Sequence, residues 1–532
     1  MQSIYVRIAI LCCLIVSVSL RPQSGAQENK PVLKSNTRLV VVDVVATDRN
    51  GQPVSGLTAE DFTILEDRNP QTISSFSFQH PGATVVQATL RLPPNVVSNI
   101  PQHKASSLNV VLLDTLNGDF AGHAQAQDAL IKYLETAQLS QPMAIFALQE
   151  KLVLLHDFTT DSEALKSVVQ KFRAPARINS AESLESRASA FTTKGDFHTD
   201  NRNIEATLNG LHSLARTLGG YPGRKNVIWL SESFPLVLAP ETAVRDSISV
   251  ASLGDAPGSK APTQFDVLQQ TNPTQDYAGL VRKVAEAMTN AQVAVYPVDS
   301  TALTKDDHLA AQHTMNNLAE STGGKAFYNR NDLIVGLRTS LEDGATYYTL
   351  SYYPDNKKWD GKFRVITVKS ARPGVNLRYR LGYYATDPEA TAKEEPRMLA
   401  EDFSRALTLD APAVTAVLFQ AGVVPPSNNG GKVTVNFAID PHTLAFEKKD
   451  DALQHASVAC VVWAFSGKAD PQRAEGNTNA DLKPDVYAQV MKSYLPCQRT
   501  FSLKPGKYTL KLGVLDRITN HIGTTVTTVV VP

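Results

Sequence analysis

The stretch Asn109–Phe120, NVVLLDTLNGDF, decides the fold of the central part of this chain. An apolar run ends at Asp114, and polar and glycine residues follow before a segment of helical character begins. Many α/β proteins present a ligand site in this way, at the carboxyl end of a buried strand. Asp114 is therefore a candidate to hold a metal, to act as a catalyst or to cap the following helix.

Short apolar runs alternate with amphipathic helices along the rest of this region. Leu165, Val168, Val169 and Phe172 follow the helical spacing i, i+3, i+4, i+7. The runs are apolar throughout, as in strands covered on both faces, and they lie at 110–113, 143–148, 152–158, 226–230 and 293–298. The second and third runs are joined tightly enough for an antiparallel hairpin. The pattern predicts a Rossmann-like unit at 108–345, with a mostly parallel sheet and helices on both faces.

Strand patterns flank this unit on both sides. Residues 37–92 contain β-branched runs separated by turns, and Asn50-Gly51 is a strong hairpin signal. The strand pattern returns at 346–385. Neither set is large enough for a stable sheet of its own, so we predict that the two form one β-sandwich into which the αβ unit is inserted.

The C-terminal part is predicted to be a separate all-β unit. Residues 431–532 contain alternating runs such as Val433, Val435, Phe437 and Ile439, which indicate a second β-sandwich. The mixed stretch 386–430 is predicted to be a linker, and so is 93–107, which is rich in Pro, Ser and Asn. The chain is thus predicted to be multidomain, α/β plus all-β, because its 532 residues exceed one compact core.

The N-terminal residues 1–26 have the pattern of an export signal peptide. Arg7 provides a positive charge, 8–20 form an apolar core, and a run of small residues ends at Ala26. An uncleaved membrane anchor is the alternative, but the apolar core is shorter than the roughly 20 residues of a bilayer span. We expect an exported protein, periplasmic or secreted, without a transmembrane span after signal cleavage.

Composition and motifs argue against two classes of function. Lys and Arg total 52, as do Asp and Glu, so the net charge is zero. A nucleic-acid partner is not expected, because an excess of basic residues is needed to neutralise phosphates. The sequence contains no G-x-S-x-G, H-E-x-x-H, P-loop or dinucleotide fingerprint, and no nucleophile–base pair can be named, so an enzyme is not expected.

Two cysteines remain once the signal is removed, Cys460 and Cys497. An even pair in an exported protein permits one disulfide. Two buried thiols that behave as small apolar residues are the alternative, because the sequence does not give the distance between them.

The central region carries an ordered set of motifs, which are VVLLDTLN at 110–117, GRKNVIWLSESFP at 223–235, LAESTGGKAFYN at 318–329 and YYTLSYYPD at 347–355. Together they resemble a von Willebrand factor A (vWA) domain, in the branch found in exported acidobacterial proteins. The preceding segment VVDVVATDRNGQPVSGLTAEDFTILED is similar to the leader region of the same family. The resemblance covers about residues 37–385.

The resemblance implies a place for a divalent cation, the metal-ion-dependent adhesion site. In the wider fold its ligands are an Asp-x-Ser-x-Ser turn, a threonine and a second aspartate. Asp114 occupies the first Asp position and Glu232 that of the second aspartate, whereas the serine positions fall on Leu116 and Gly118, which lack a side-chain oxygen. Thr207 lies too far into its helix to be assigned as the threonine.

A rearranged site is still conceivable from the residues nearby. Asn117, Asp119 and Ser231 offer oxygens, and hard cations need several oxygen ligands. The sequence predicts a degenerate adhesion site without a cofactor; the alternative is Mg²⁺ or Mn²⁺ held by Asp114, Asn117, Asp119, Ser231 and Glu232. In the leading prediction, Asp114 caps the helix that starts around Asp119.

These features predict an exported, non-enzymatic protein-binding or adhesion module whose partner is an unidentified envelope or extracellular protein. Binding would use the loops at the carboxyl edge of the sheet and would not need a cation. The alternative is a structural scaffold of the cell envelope in which the vWA fold serves only for its shape. A hydrolase is the third class, and it would need a nucleophile and a base that the sequence does not reveal.

Overall fold

The computed structural model describes residues 39–80, 86–87, 92–101, 103–104, 107–117, 120–173, 196–232, 278–300, 308–328, 333–386, 396–426, 432–448, 453–467 and 470–532. The predicted signal peptide, 1–26, lies outside these ranges. Within them, no helix combines the length and the apolar character that crossing a bilayer requires.

The first strands along the chain are β1 (Val40–Thr47), β2 (Phe62–Glu66), β3 (Asn69–Gln71), β4 (Ile73–Gln79), β5 (Val86–Gln87), β6 (Val96–Ser98) and β7 (His103–Lys104). The αβ part contains β8 (Ser107–Asp114), β9 (Met143–Leu148), β10 (Leu152–Thr159), β11 (Arg224–Ser231) and β12 (Val293–Asp299). Its helices are α1 (Phe120–Thr136), α2 (Ser162–Lys171), α3 (Asp196–Leu218), α4 (Ala278–Asn290), α5 (His308–Thr322) and α6 (Leu333–Asp343).

The remaining elements are mostly strands. After the αβ part come β13 (Tyr347–Tyr352), β14 (Phe363–Ser370), β15 (Asn376–Arg378), β16 (Gly382–Tyr384) and helix α7 (Pro396–Ala406). The chain continues with β17 (Phe419–Val424), β18 (Lys432–Ile439), β19 (Glu447–Lys448), β20 (Gln454–Phe465), β21 (Gln472–Leu482), helix α8 (Pro484–Val490), β22 (Leu495–Ser502), β23 (Gly506–Asp516) and β24 (Ile522–Val531). Single 3₁₀ turns lie at Ala59–Asp61 and Pro441–Thr443.

The central module, called the αβ module (107–343), contains a five-stranded sheet in the order β10-β9-β8-β11-β12. Strands β9, β8, β11 and β12 are parallel, and β10 pairs antiparallel with β9 at one edge. The first strand therefore lies in the middle, and the chain builds outward on both sides of it, as in doubly wound folds. The predicted α/β class, with a mostly parallel sheet and one antiparallel edge, is confirmed.

Two apolar cores cover the two faces of this sheet. Residues of β8 alternate between them, because successive side chains of a strand point to opposite faces. Leu112 packs in the core that contains Leu208 of α3, together with residues of α4 and α5. Leu113 packs in the core that contains Leu130 of α1, together with residues of α2 and α6. Helices therefore lie on both faces, and β8 is buried along its whole length.

The N-terminal β-module consists of 40–79 and 347–384. Its strands form two four-stranded antiparallel sheets, in the orders β15-β1-β13-β4 and β16-β14-β2-β3. Each sheet pairs strands from both sides of the αβ module, with Val42 opposite Leu350 in the first and Ile64 opposite Val368 in the second. These four side chains belong to one buried apolar cluster. Neither segment could bury its apolar residues without the other.

The C-terminal β-module consists of 96–98 and 396–531. One sheet has the order β22-β18-β17-β6, and the other has the order β19-β20-β23-β24 with β21 paired to β20. Residues of both sheets share one apolar cluster, which includes Phe437 and Leu512. Cys460 of β20 and Cys497 of β22 form a disulfide between the two sheets, with their Cα atoms 6.8 Å apart.

The prediction of a linker at 386–430 is wrong for most of the described residues. Phe403 of helix α7 and Leu407, which directly follows that helix, pack in a cluster with Trp463 on β20. Strand β17 pairs along its length with β18. The predicted linker 93–107 is corrected in the same way, since β6 extends this sheet by pairing Val97 with Ala421. The partners of Phe403 and of β6 are distant in the sequence, so local composition does not reveal them.

The N-terminal β-module meets the amino ends of the αβ strands through buried polar groups. Asp43 of β1 accepts hydrogen bonds from Gln292 Nε2 at 3.2 Å and from Thr349 Oγ1 at 2.8 Å. Lys225, at the start of β11, is 1% exposed, and its Nζ donates to the Tyr221 carbonyl at 2.8 Å. Burial lowers the pKa of Lys225 to about 7, and Asp43 acts weakly in the opposite direction.

We expect the free energy of unfolding to rise with pH between about 7 and 10, partly because of Lys225. Its pKa is about 7 when folded and about 10.4 in an unfolded chain. In this window the unfolded state binds the extra proton, so stability increases by up to about 1.4 kcal/mol per pH unit. Urea unfolding at several pH values should give a smaller slope for Lys225→Met than for the wild type. Lys511, whose pKa burial lowers to about 8, adds to the slope in both proteins; equal slopes would contradict this role of Lys225.

Candidate functional site

The candidate site lies at the carboxyl ends of β8 and β11, which are neighbours in the sheet with Leu113 opposite Leu230. The helix after β8, α1, packs on one face of the sheet. The next described helix after β11, α4, packs on the other face. Adjacent strands whose connections leave to opposite faces open a crevice between them, and ligands of doubly wound folds bind in that crevice.

Asp114, the last residue of β8, is the centre of the site and is 2% exposed. Its Oδ1 accepts hydrogen bonds from the backbone N–H groups of Leu116 and Asn117, both at 2.9 Å. Its Oδ2 accepts from Ser231 Oγ at 2.7 Å, from Trp229 Nε1 at 3.0 Å and from Asn117 Nδ2 at 3.0 Å. Five donors from this chain therefore surround one carboxylate.

Asn117 connects this carboxylate to the helix α3. Its side-chain amide donates to Asp114 Oδ2 and also to Thr207 Oγ1, the latter at 2.9 Å. Thr207 is fully buried. His123 of α1 lies 3.3 Å from the Asn117 carbonyl oxygen through Nε2. One loop residue thus ties together β8, α1 and α3.

The electrostatics of Asp114 follow from two opposing effects. Burial is the larger effect and raises the pKa of Asp114, although hydrogen bonds from Asn117, Ser231 and Leu116 partly lower it. Four of the five contacts are N–H groups, which can only donate, and only the Ser231 hydroxyl could also accept a hydrogen bond from a protonated carboxyl. The arrangement is therefore complementary to the ionised carboxylate.

Ser231 and Glu232 end β11 and play different parts. Ser231 is 1% exposed, and its backbone carbonyl accepts from Ser300 N at 3.0 Å, which adds the end of β12 to the same network. Glu232 is half-buried and lies against the first turn of α1, where a Cβ added to Gly122 would come 2.8 Å from its Oε2. A carboxylate next to a helix N-terminus is stabilised by the free N–H groups there.

The described residues around Asp114 do not present a set of ligands for a divalent cation. Trp229 Nε1 can only donate, so it cannot ligate a metal. It donates to Asp114 Oδ2, the oxygen that also accepts a hydrogen bond from Ser231. An ion bound to Asp114 would have to displace N–H and O–H donors that are already well placed. Within the described residues, no group of three or more His, Cys, Asp or Glu side chains is arranged to hold a metal.

The structure brings together only some of the residues that the sequence suggested. Asp114, Asn117 and Ser231 share one network, Glu232 lies beside it, and Asp119 is outside the described residues. Asp114 was expected to cap the following helix, but its backbone donors, Leu116 and Asn117, precede α1. It closes the turn after β8 instead, because that turn folds back onto the carboxylate.

Sequence reasoning missed Trp229 and did not assign Thr207. A signal for Trp229 was present: it lies two residues before Ser231 in a strand, so both side chains point to the same face. No comparable signal exists for Thr207. Its position beside Asn117 depends on how α3 packs on the sheet, which the helical spacing of apolar residues alone does not fix.

The fold and site thus define a doubly wound α/β domain that carries a closed hydrogen-bond network at its switch point. Solved vWA-domain proteins are structural neighbours of this chain. The vWF domain of the type V pili tip protein Mfa5 from Porphyromonas gingivalis has 12% sequence identity and a TM-score of 0.27, and the similarity covers 44% of this chain and 94% of that one.

Two further structures give similar values. The conserved hypothetical protein BatB from Bacteroides thetaiotaomicron has 8% identity and a TM-score of 0.24, covering 45% of this chain and 98% of its own. The von Willebrand factor type A protein from Catenulispora acidiphila has 10% identity and a TM-score of 0.24, covering 89% and 75%. No family model and no curated protein matches the chain. Similarities this low carry no argument about partner or activity.

Proposed function

We propose that the protein is an exported, non-enzymatic protein-binding module. It binds a protein partner through the loop ends at the carboxyl edge of the αβ sheet, and this binding needs no divalent cation. The partner belongs to the cell envelope or the extracellular space.

One observation carries this proposal, the Asp114 network. It fixes the ends of β8 and β11 and the middle of α3 against one another through Asp114, Asn117 and Ser231. A surface that is already ordered loses less conformational entropy on binding than a mobile one, so it binds partners with less cost. The carboxylate that would anchor a cation is instead used to preorganise the loops.

A second candidate, a structural scaffold of the envelope, is favoured by a different observation. The C-terminal β-module is bonded to the αβ module at several points. Thr415 Oγ1 donates to the Thr217 carbonyl at 2.6 Å and accepts from Gly220 N at 3.0 Å. Lys151 and Asp410 form an exposed ion pair at 2.9 Å. A rigid assembly of modules suits a load-bearing part as well as a binding one.

Reversing the charge of Glu232 should weaken partner binding, because Glu232 lies beside the preorganised loops and is partly exposed. The mature protein and Glu232→Arg would be cross-linked in the envelope fraction of the producing cells, with the captured proteins identified by mass spectrometry. Glu60→Arg is the matched control, since Glu60 is exposed in the N-terminal β-module. We expect the wild type to capture a specific partner protein. Glu232→Arg should reduce the captured amount at least tenfold, and Glu60→Arg should leave it unchanged. Excess EDTA should not alter it.

Three results would decide against this function. Capture that EDTA abolishes would mean that a cation takes part in binding. Equal capture by Glu232→Arg and the wild type would move the binding surface elsewhere. No specific capture by any of the proteins would favour the scaffold.

A further inference from the structure

A cavity lies between the αβ module and the C-terminal β-module, with a volume of about 330 Å³. Its walls come from α3, from the turn between β9 and β10, and from α7 with the segment that follows it. The α3 side chains that line it include His212 and Arg216, whereas the Asp114 network uses Thr207 of the same helix. Cavities of this size at module boundaries are common places for small-molecule sites.

Part of the cavity wall is apolar. Leu152, at the start of β10, lies on one side, and Ala406, Pro412 and Val414 lie on the other. The two sides belong to different modules, so a molecule bound here would contact both. Apolar walls with a few polar groups are the usual design of a small-ligand site.

Arg216 is the polar group of the cavity whose bonding is incomplete. Its side chain is 17% exposed, and its Nη1 lies 3.7 Å from Asp402 Oδ2, which is too far for a hydrogen bond. Its Nη2 is buried without a hydrogen-bond partner among the described residues. Arg405 competes for the same acid, with Nη1 3.8 Å from Asp402 Oδ1. Two guanidinium groups therefore share one carboxylate, and neither is within hydrogen-bond distance of it.

Lys151 and Arg405, which also line the cavity, have closer partners. Lys151 is paired with Asp410 at 2.9 Å, and Arg405 Nη1 also donates to Asn209 Oδ1 at 3.1 Å. Burial lowers the pKa of His212 to about 4, so its imidazole is neutral at neutral pH. Arg216 Nη2 is enclosed by the protein and out of reach of a ligand. Arg216 Nη1 lies 3.7 Å from its nearest acid and still has a hydrogen bond to make, so an acceptor supplied by a ligand would bind at Nη1.

We propose that this cavity is a binding site for a small organic carboxylate with an apolar body. The carboxylate accepts hydrogen bonds from Arg216, and the body packs against Leu152, Pro412 and Val414. A body of about four to eight carbon atoms suits the volume. The bound molecule would bridge α3 and the C-terminal β-module. The residues that line the cavity differ from those of the Asp114 network, so the two sites can be tested separately.

The test is calorimetric titration of the mature protein with hexanoate, with hexanol and hexylammonium as probes of the same length. Hexanoate should bind saturably at one molecule per chain and at least tenfold more tightly than hexanol, and hexylammonium should not bind. Arg216→Met should weaken hexanoate binding at least tenfold. Asp402→Asn, which removes the competing acid, should strengthen it severalfold. Arg173→Met is the matched control, because Arg173 is exposed and, within the described part of the chain, donates to the nearby backbone carbonyls of Gln170 and Phe172.

Several outcomes would overturn the proposal. Equal affinities for hexanoate and hexanol would mean that no carboxylate is recognised. Unchanged hexanoate binding in Arg216→Met, with circular dichroism as in the wild type, would exclude Arg216 as its partner. If Arg216→Met does not fold, Asp402→Asn decides, and an affinity no higher than that of the wild type counts against the site. The absence of saturable binding in both the wild type and Asp402→Asn overturns it as well.

Discussion

Asp114→Asn is expected to lower the free energy of unfolding of the αβ module by about 3–4 kcal/mol. The asparagine has the same shape, but it replaces one of two accepting oxygens by an NH₂ group. In either orientation of the amide, its NH₂ group faces hydrogen-bond donors. These are the backbone N–H groups of Leu116 and Asn117 in one orientation, and the side chains of Trp229 and Ser231 in the other. Buried donors without an acceptor cost about 1–3 kcal/mol each.

Trp229 offers a direct readout of this change, because its indole N–H is bonded to Asp114 Oδ2. The chain contains three tryptophans, so replacing Trp359 and Trp463 by phenylalanine leaves Trp229 as the single reporter for urea unfolding. Ser231→Ala in the same background is the matched control and should cost only about 1 kcal/mol, since it removes one donor and leaves four. A loss below about 1 kcal/mol in Asp114→Asn would mean that the network does not stabilise the loops.

The sequence was most informative where a segment is buried on both faces or carries a regular spacing. The apolar run 110–113 lies inside β8, and each of the other four predicted runs lies inside a strand of the same sheet. This agreement has a physical cause, since a strand covered by helices on both faces must be apolar at every position. The antiparallel edge was also predictable, because the connection between β9 and β10 is too short for a crossover.

Elements that depend on distant partners were the ones that local sequence did not reveal. Val97 in β6 pairs with Ala421 in β17, more than 300 residues away along the chain. Strand β6 is short and lies among proline, serine and asparagine residues, so its composition resembles that of a linker. The pairing supplies the backbone hydrogen bonds and the burial that the local sequence lacks.

The candidate site could be predicted from the sequence in part, as the fold could. Asp114 and Ser231 could be named because each ends an apolar run, and parallel strands end at one edge of a sheet. Their direct hydrogen bond at 2.7 Å depends on the register of β8 and β11, which is set by packing across the whole sheet. The contribution of Thr207 depends on the rotation of α3 about its axis, and the sequence fixes this only to within part of a turn.

Removing the disulfide by the double substitution Cys460→Ala and Cys497→Ala should lower the stability of the C-terminal β-module by about 3–4 kcal/mol. The bond joins β20 to β22 across a sequence separation of 37 residues, and closing a loop of this length reduces the conformational entropy of the unfolded chain. Both sulfur atoms lie in the buried apolar cluster, so alanine adds a small loss of packing without introducing a polar group.

Hydrogen exchange followed by mass spectrometry can assign this loss to its module. Peptides from β20 and β22 should exchange faster in the double variant, while peptides from β8 and β11 keep the rates of the wild type. Reduction of the wild type should have the same effect as the substitutions, because both remove the same constraint from the unfolded state. Faster exchange throughout the chain would instead mean that the modules unfold as one cooperative unit. The hydrogen bonds of Thr415 with Thr217 and Gly220 would then couple the unfolding of the two modules. Unchanged exchange in every peptide would contradict a stabilising role for the bond.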